Sequence, residues 1–362
     1  MGTSPQNEFI TMKKSLFATL GVLSMSIASL TACTNTEKDS ERYPDKYVNT
    51  EMEYKSSFGD IVDVMKSYFT TERAEPTPTF ELPVHAITAE QLIDEQSDVV
   101  YRLGHSSVIM KLDGQLVMAD PVFSDRASPV QWAGPKRFHQ TPITLEALPN
   151  IDVVVISHDH YDHLDKASVK ALANKVDHFI VPLKVGDYLI KWGVPSEKVT
   201  ELAWWESHSV NGIEYTLAPT QHFSGRGLTD RDSTLWGSWI IDSKESKVFF
   251  SGDSGYFGGF AEIGEKYGPF DFTMIETGAY NELWSQIHMF PEQSVQAHID
   301  VKGKVMMPIH NSTFDLAMHD WYEPMNKALE ISEERGVTMV SPEIGQRLDI
   351  ANPMPVTKWW QQ

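Results

Sequence analysis

The 362-residue chain is 41% hydrophobic and 22% charged, which suits a large globular body and excludes a disordered chain, a collagen-like repeat and a polytopic membrane protein. Fifty acidic against thirty basic side chains leave a formal charge of −20, so no nucleic-acid partner, which would need clustered Lys and Arg, is expected. A single cysteine rules out an internal disulfide and any Cys-based zinc site, leaving thirteen His and the carboxylates to hold a metal.

From Met12 the chain reads MKKSLFATLGVLSMSIASLTAC. Lys13 and Lys14 form a basic region, Ser15–Ser29 a weakly polar apolar core, and Leu30-Thr31-Ala32-Cys33 a small-residue cleavage pattern. The stretch is marginal for spanning a bilayer. It resembles a bacterial lipoprotein signal, which implies lipidation of Cys33 after cleavage, with residues 1–11 as an extension upstream of the start. Thr34 stands where an inner-membrane lipoprotein would carry Asp, so the expectation is an outer-membrane lipoprotein of a bacterial envelope, facing the periplasm. Its acidic body would be held to the membrane by acyl chains rather than by charge.

Residues 34–97 read as a polar N-terminal segment, with an amphipathic helix at Phe58–Phe69 and a Pro-rich linker at Ala74–Phe80. The organised domain is expected over 98–350, followed by a tail at 351–362. Strands are predicted at Val99–Leu103, Ser107–Leu112 and Gln115–Ala119, with Asp113-Gly114 as a hairpin turn between the last two. The apolar run Ile151–Ile156 marks a strand buried on both faces. A helix at Asp165–Ala173, a strand at His178–Pro182 and a helix at Val185–Trp192 follow, the last stopped by Gly193 and Pro195. Later strands are expected at Val199–Trp205, Ile213–Ala218, Ser238–Ile241, Lys247–Ser251, Phe272–Glu276 and Lys304–Pro308, with a helix at Pro291–Asp300. Strands meeting helices throughout predict an α/β layered domain.

The buried strand runs directly into Ser157-His158-Asp159-His160-Tyr161-Asp162-His163. In extended chain His158 and His160 project to one side. A turn into the next helix would carry Asp162 and His163 to a second position, a spacing that suits two adjacent metals. The strand-then-polar pattern recurs at His222, Asp253 and His310, which follow the runs ending at Gln221, Gly252 and Ile309. Five His and two Asp complete a two-metal inventory.

HDHYDH resembles the HxHxDH signature of the metallo-β-lactamase fold, and the three later residues fall in that fold's motif order. The matches Gly104-His105-Ser106-Ser107, the run Ala119–Pro129, Gly134-Pro135-Lys136-Arg137-Phe138, Trp204-Trp205-Glu206, Ser251–Tyr256, Gly278-Ala279-Tyr280, His288 with Pro291-Glu292, and His310–Phe314 resemble the branch containing N-acylphosphatidylethanolamine-hydrolysing phospholipase D. The resemblance implies a four-layer αββα sandwich. It also implies one zinc on His158, His160 and His222, a second on Asp162, His163 and His310, and Asp253 bridging them. Asp253 stands where β-lactamases of this fold mostly carry Cys, so β-lactam hydrolysis is not the expected activity.

The implied chemistry is a di-zinc phosphodiesterase of phospholipase D type acting on phospholipid or a smaller phosphodiester, with metal-bound hydroxide as nucleophile. Asp162 and Asp253 would offset the metal charge and orient that hydroxide. His288, left without a ligand slot, would contact the phosphoryl oxygen or protonate the leaving group; a supporting or surface position is the alternative. His105 is expected to support a ligand rather than to do chemistry. Arg226 and Arg231 are candidates to hold a phosphate, or to pair with Asp230 and Asp232. Tyr256, Tyr280 and Trp284, with Trp236, Phe257 and Phe290, are candidates for an apolar groove. His and Asp donors suit iron and manganese as well as zinc. The alternatives in other classes are a lactonase or other ester hydrolase, and a non-catalytic metal-binding envelope lipoprotein. Oligomeric state is not written in these motifs.

Overall fold

The central strands of the body alternate their side chains between two apolar environments, and this alternation builds the layers. The computed structural model describes residues 1–2, 42–55 and 58–361. The signal-like stretch and Cys33 lie outside them. Lys46–Gln362 form one compact unit. It opens with α1 (Phe58–Thr70) and α2 (Ala89–Asp94), then β1 (Val99–Gly104), β2 (Ser107–Leu112), β3 (Gln115–Ala119) and β4 (Ile151–Val155). Next come α3 (Lys166–Leu172), β5 (Val176–Pro182), α4 (Val185–Lys191), β6 (Val199–Leu202), β7 (Ser207–Val210) and β8 (Ile213–Ala218). The chain continues through β9 (Ser238–Asp242), β10 (Lys247–Phe250), α5 (Gly259–Lys266), β11 (Phe270–Glu276), α6 (Pro291–Asp300) and β12 (Gly303–Ile309). It closes with α7 (Glu323–Arg335), β13 (Thr338–Met339) and β14 (Arg347–Asp349).

Among the described residues these strands form two seven-stranded sheets, ordered β14-β1-β2-β3-β4-β5-β6 and β13-β12-β11-β10-β9-β8-β7. In the first, pairings are antiparallel from β14 to β3 and parallel from β3 to β6. The second repeats that plan, antiparallel from β7 to β10 and parallel from β10 to β13. Val153 and Val155 of β4 meet Trp239, Phe250, Phe272, Met274 and Met307 of the opposite sheet in the central core. Val154 and Ile156 face the other way, under Val169 and Leu172 of α3 and Leu189 of α4. On the far side Phe249 and Ile275 pack beneath Phe260 and Ile263 of α5 and Val295 of α6. The result is a four-layer αββα sandwich. Burial of each large side chain in it contributes about 1.5–3 kcal/mol.

Helix α3 starts where Asp165 caps it, the carboxylate accepting the Ala167 N–H. Beyond shifts of one or two residues at element ends, the structure departs from expectation in three respects. The strand predicted over Val199–Trp205 ends at Leu202, because the Glu206 carboxylate accepts the Ala203 N–H (2.8 Å) and Trp205 adopts φ +69°. Trp204-Trp205-Glu206 is thus the turn by which the chain leaves one sheet for the other. Helices α5 and α7 are absent from the sequence reading; α5 is only eight residues long and carries two glycines, which mask it. The body is also longer than 98–350. Tyr47, Leu82, Ile87 and Leu92 are buried ahead of it, and Trp359 and Trp360 after it. The indoles of Trp359 and Trp360 donate to the Ser341 carbonyl (3.0 Å) and to Asn326 Oδ1 (2.7 Å). Single large side chains separated by polar stretches carry no period, so these segments read as spacer and tail. Among the described residues no helix is long and apolar enough to cross a membrane.

Candidate metal centre

Strand β4 delivers its C-terminal end into a buried polar knot. Asp120, at φ +42° just past β3, accepts the Ser157 N–H (2.7 Å) and the Ser157 hydroxyl (2.6 Å). The chain then leaves the sheet, and His163 N and Leu164 N both donate to the His160 carbonyl, closing the turn that gathers the motif. Gly252 approaches from the second sheet at φ +57°, where an added Cβ would lie 2.7 Å from the Ser157 Cβ. An added Cβ at Gly278 would lie 2.1 Å from the His310 carbonyl, so the strand ends meet backbone to backbone.

Two four-membered donor groups result, and His288 makes a smaller third with Asp253 and His310. His158, His160, His222 and Asp253 converge in one; His105, Asp162, His163 and His310 in the other. In the first, His160 Nδ1 lies 3.0 Å from His158 Nε2 and 3.2 Å from His222 Nε2. Asp253 Oδ2 is 3.7 Å from His158 Nε2 and 3.8 Å from His222 Nε2. The same carboxylate reaches the second group, 3.1 Å from both His163 Nε2 (by Oδ1) and His310 Nε2 (by Oδ2). Asp162 Oδ2 lies 3.6 Å from His163 Nε2, 3.3 Å from His310 Nε2 and 3.0 Å from His105 Nε2.

These residues fit a pair of divalent ions. His163 Nε2, His310 Nε2 and Asp253 Oδ1 are buried without a hydrogen-bond partner among the described residues, which is costly unless something else satisfies them. The far nitrogens are oriented in the manner of metal ligands. His163 Nδ1 faces Asp120 Oδ2 (2.7 Å), His222 Nδ1 the Ile287 carbonyl (3.0 Å), and His158 Nδ1 the Ser157 hydroxyl (2.9 Å).

Burial depresses His158, His160 and His222 below the ordinary imidazole range, so they are neutral donors. Burial works against charge on Asp162 and Asp253 too, yet the histidines around them, His163 foremost, hold both well below the usual carboxylate range. Burial likewise opposes charge on His310, but Asp253 and Asp162 raise it to about 10. The two carboxylates thus favour positive charge on the rings of His163 and His310, a charge that a bound cation would supply in place of protons.

The β-lactamase superfamily domain matches residues 116–311, more than half of the chain. The chain belongs to the metallo-β-lactamase superfamily. An uncharacterized protein of Mycobacterium tuberculosis is 45% identical over 262 residues, covering 71% of this chain and 70% of its own. N-acyl-phosphatidylethanolamine-hydrolyzing phospholipase D 1 of Caenorhabditis elegans is 38% identical over 267 residues, covering 70% of this chain and 75% of its own. Among solved structures, the metallo-hydrolase Igni18 of Ignicoccus hospitalis superposes with a TM-score of 0.53 at 19% identity, over 70% of this chain and 98% of its own. The protein is a metal-dependent hydrolase of this fold resembling the phospholipase D branch.

In this metallo-hydrolase a cleft of about 430 Å³ opens onto His160, Asp162, Asp253, His288 and His310. Its walls are largely apolar, with Tyr54, Val64, Phe223, Trp284, Ile287 and Leu316. The Trp284 indole donates to the Ala279 carbonyl (2.6 Å), and the residue lines the cleft. Three other substrate candidates do not line it. The Arg226 guanidinium donates to the carbonyls of Asp159 and Leu164 and lies 4.1 Å from the Tyr161 ring centroid, bracing the ligand turn from behind. The Tyr256 hydroxyl donates to Asp300 (2.6 Å) on the outer helical layer. Tyr280 is buried, donating to Glu323 (2.7 Å) and stacked on His319. Nearness in sequence to a ligand misled in all three. Trp236 and Phe257 are core residues, Phe290 packs on Tyr280, and Arg231 donates to the Tyr54 carbonyl (3.0 Å).

Two carboxylates escaped the sequence reading. Asp120 follows β3 just as Asp253 follows β10, so the same signal marked it. Glu276, fully buried at the end of β11, accepts the Ser254 N–H (2.7 Å) with one oxygen and meets His288 Nδ1 with the other. His105 supports Asp162 from behind at 3.0 Å.

Proposed function

We propose that the protein is a di-zinc phosphodiesterase of phospholipase D type, cutting N-acylphosphatidylethanolamine-like phospholipids to phosphatidate and head group. The observation that carries the reading is an apolar-walled cleft ending on a double His/Asp donor set, in a chain 38% identical to a phospholipase D of that specificity. His158, His160 and His222 would hold one ion, Asp162, His163 and His310 the other, with Asp253 shared. Metal bound there supplies a Lewis acid and a water of lowered pKa.

The chain's own groups do the rest. Trp284, Phe223 and Ile287 exclude water and align the acyl part of the lipid. As the water oxygen gives up a proton to the Asp162 carboxylate and adds to phosphorus, the bond from phosphorus to the head-group oxygen breaks and His288 delivers a proton to the departing alkoxide. Glu276 keeps its hydrogen bond to Nδ1 throughout, fixing the ring so that Nε2 is the end left for the cleft. The same reading makes the protein an outer-membrane lipoprotein facing the periplasm, tethered by acylated Cys33 within reach of its substrate.

The test is product analysis by mass spectrometry. Full-length protein in detergent, loaded with zinc, is incubated with N-acylated and plain phosphatidylethanolamine, with Asp253→Ala as the blank. Metal-dependent phosphatidate absent from the blank is the expected result. Fatty acid release, or unchanged lipid at full metal loading, refutes the phospholipase D assignment. Loss of membrane association on Cys33→Ser tests the tether.

A further inference from the structure

Ligand His222 lies four residues beyond the end of β8; the Gln221 carbonyl before it accepts the Gly255 N–H (2.8 Å), but among the described residues no strand pairs with the peptide groups of His222 itself. Both of those groups are instead taken by one side chain from the far N-terminal segment. Asn49 Nδ2 donates to the His222 carbonyl (2.8 Å), and Asn49 Oδ1 accepts the His222 N–H (3.1 Å) and the Trp236 indole N–H (3.2 Å). The carboxamide takes both peptide groups of this residue as a neighbouring strand would. Its own position is set on both sides. The Tyr47 N–H donates to the Asp232 carbonyl (2.8 Å) with the Tyr47 ring buried, Gln221 Nε2 donates to the Met52 carbonyl (2.5 Å), and Arg231 to the Tyr54 carbonyl (3.0 Å). The Tyr54 ring then lies tilted against Phe223, centroids 5.6 Å apart, and enters the cleft wall.

We infer that residues 46–55 are a working part of the metal centre, with Asn49 as the positioning residue that holds His222 on its ion. The inference rests on the ligand assignment above. Asn49 touches no donor atom. It acts through the His222 main chain, while the Ile287 carbonyl holds the ring's far nitrogen. Removing it frees the His222 peptide to drift without altering a ligand, and the loss falls on the ion that His222 shares with His158 and His160. Outer partners of metal ligands typically change affinity 10–100-fold.

The experiment is a zinc titration of the metal-free full-length protein against a chromophoric chelator, comparing wild type, Asn49→Ala and Asn49→Asp. Circular dichroism and melting of the metal-free forms run in parallel. The expected result is that wild type takes two zinc ions, while Asn49→Ala binds one at least about tenfold more weakly and the other unchanged. Asn49→Asp keeps the acceptor for the His222 N–H but has no donor for its carbonyl, so an intermediate weakening is expected. Should Asn49→Ala fail to fold, Asn49→Asp decides alone. Wild-type affinity at both sites in a folded variant overturns the inference, as does equal weakening of both. Wild type that binds no zinc overturns the ligand assignment itself, and the inference falls with it.

Discussion

Asp120→Asn tests whether the centre depends on its buried support. Asp120 is fully buried and its two oxygens receive three donors, Ser157 N–H and hydroxyl and the His163 ring N–H. An amide of the same shape has no harmless orientation. With Nδ2 in the place of Oδ1 it faces the Ser157 N–H, and in the place of Oδ2 it faces His163 Nδ1. One charge-assisted bond, worth about 1.5–3 kcal/mol, is replaced by a donor–donor contact, so a loss of about 2–4 kcal/mol is expected. For a body of this size that lowers the melting temperature by roughly 3–6 °C. Zinc affinity falls about 10–100-fold as His163 loses its orientation. Differential scanning calorimetry of the metal-free protein and chelator competition read the two effects separately. A variant melting within about 1 °C of wild type with unchanged zinc affinity would show that the hydrogen-bond accounting is wrong.

Glu276→Gln and His288→Gln should each lower kcat by about 10²–10⁴ while zinc content and KM stay near wild type; an unchanged kcat at full metal loading removes His288 from the reaction. Trp284→Ala should raise KM for long-chain lipid far more than for a short-chain analogue, as steady-state kinetics on the two would show, and equal effects on both would take the indole out of the acyl site. His298, on the buried face of α6 against Thr273 Oγ1 (2.8 Å), is pushed down to about 4 by burial. The unfolded chain takes up a proton below about pH 6.5 that the folded one refuses, so stability falls as pH drops from 6.5 towards 4, by about 2 kcal/mol at pH 5. Urea unfolding at several pH values should give a flatter profile for His298→Gln, and parallel profiles would refute the assignment.

Much of the fold was legible because β-strand alternation and the strand-then-polar signature are local. Ile151–Val155, Gln115–Ala119 and Pro291–Asp300 stand close to where apolar runs and a Pro start signal put them. The motif from His158 to His163 is local too, and its turn follows from the chain leaving the sheet. What escaped depends on distance in sequence. Asn49 meets His222 across 173 residues, and nothing in the polar stretch around it marks that partner. The side chains proposed for substrate were chosen by nearness to ligands along the chain, whereas Arg226 and Tyr256 turn towards the backbone and the outer helices. Burial of isolated indoles at Trp359 and Trp360 likewise has no periodic trace.

The two sheets share one plan, and the centre draws on both. Each four-membered donor group takes members from the β4 end of the first sheet and from the β8, β10 or β12 ends of the second. A cation seated there is consequently a cross-link between halves of the chain more than fifty residues apart, and its binding energy counts as docking energy for the two sheets. A half that folded alone would expose an incomplete ring of histidines with little hold on metal. Tight metal retention would therefore report that both halves have assembled face to face, and stripping the ions would loosen the seam between the sheets before either sheet frays.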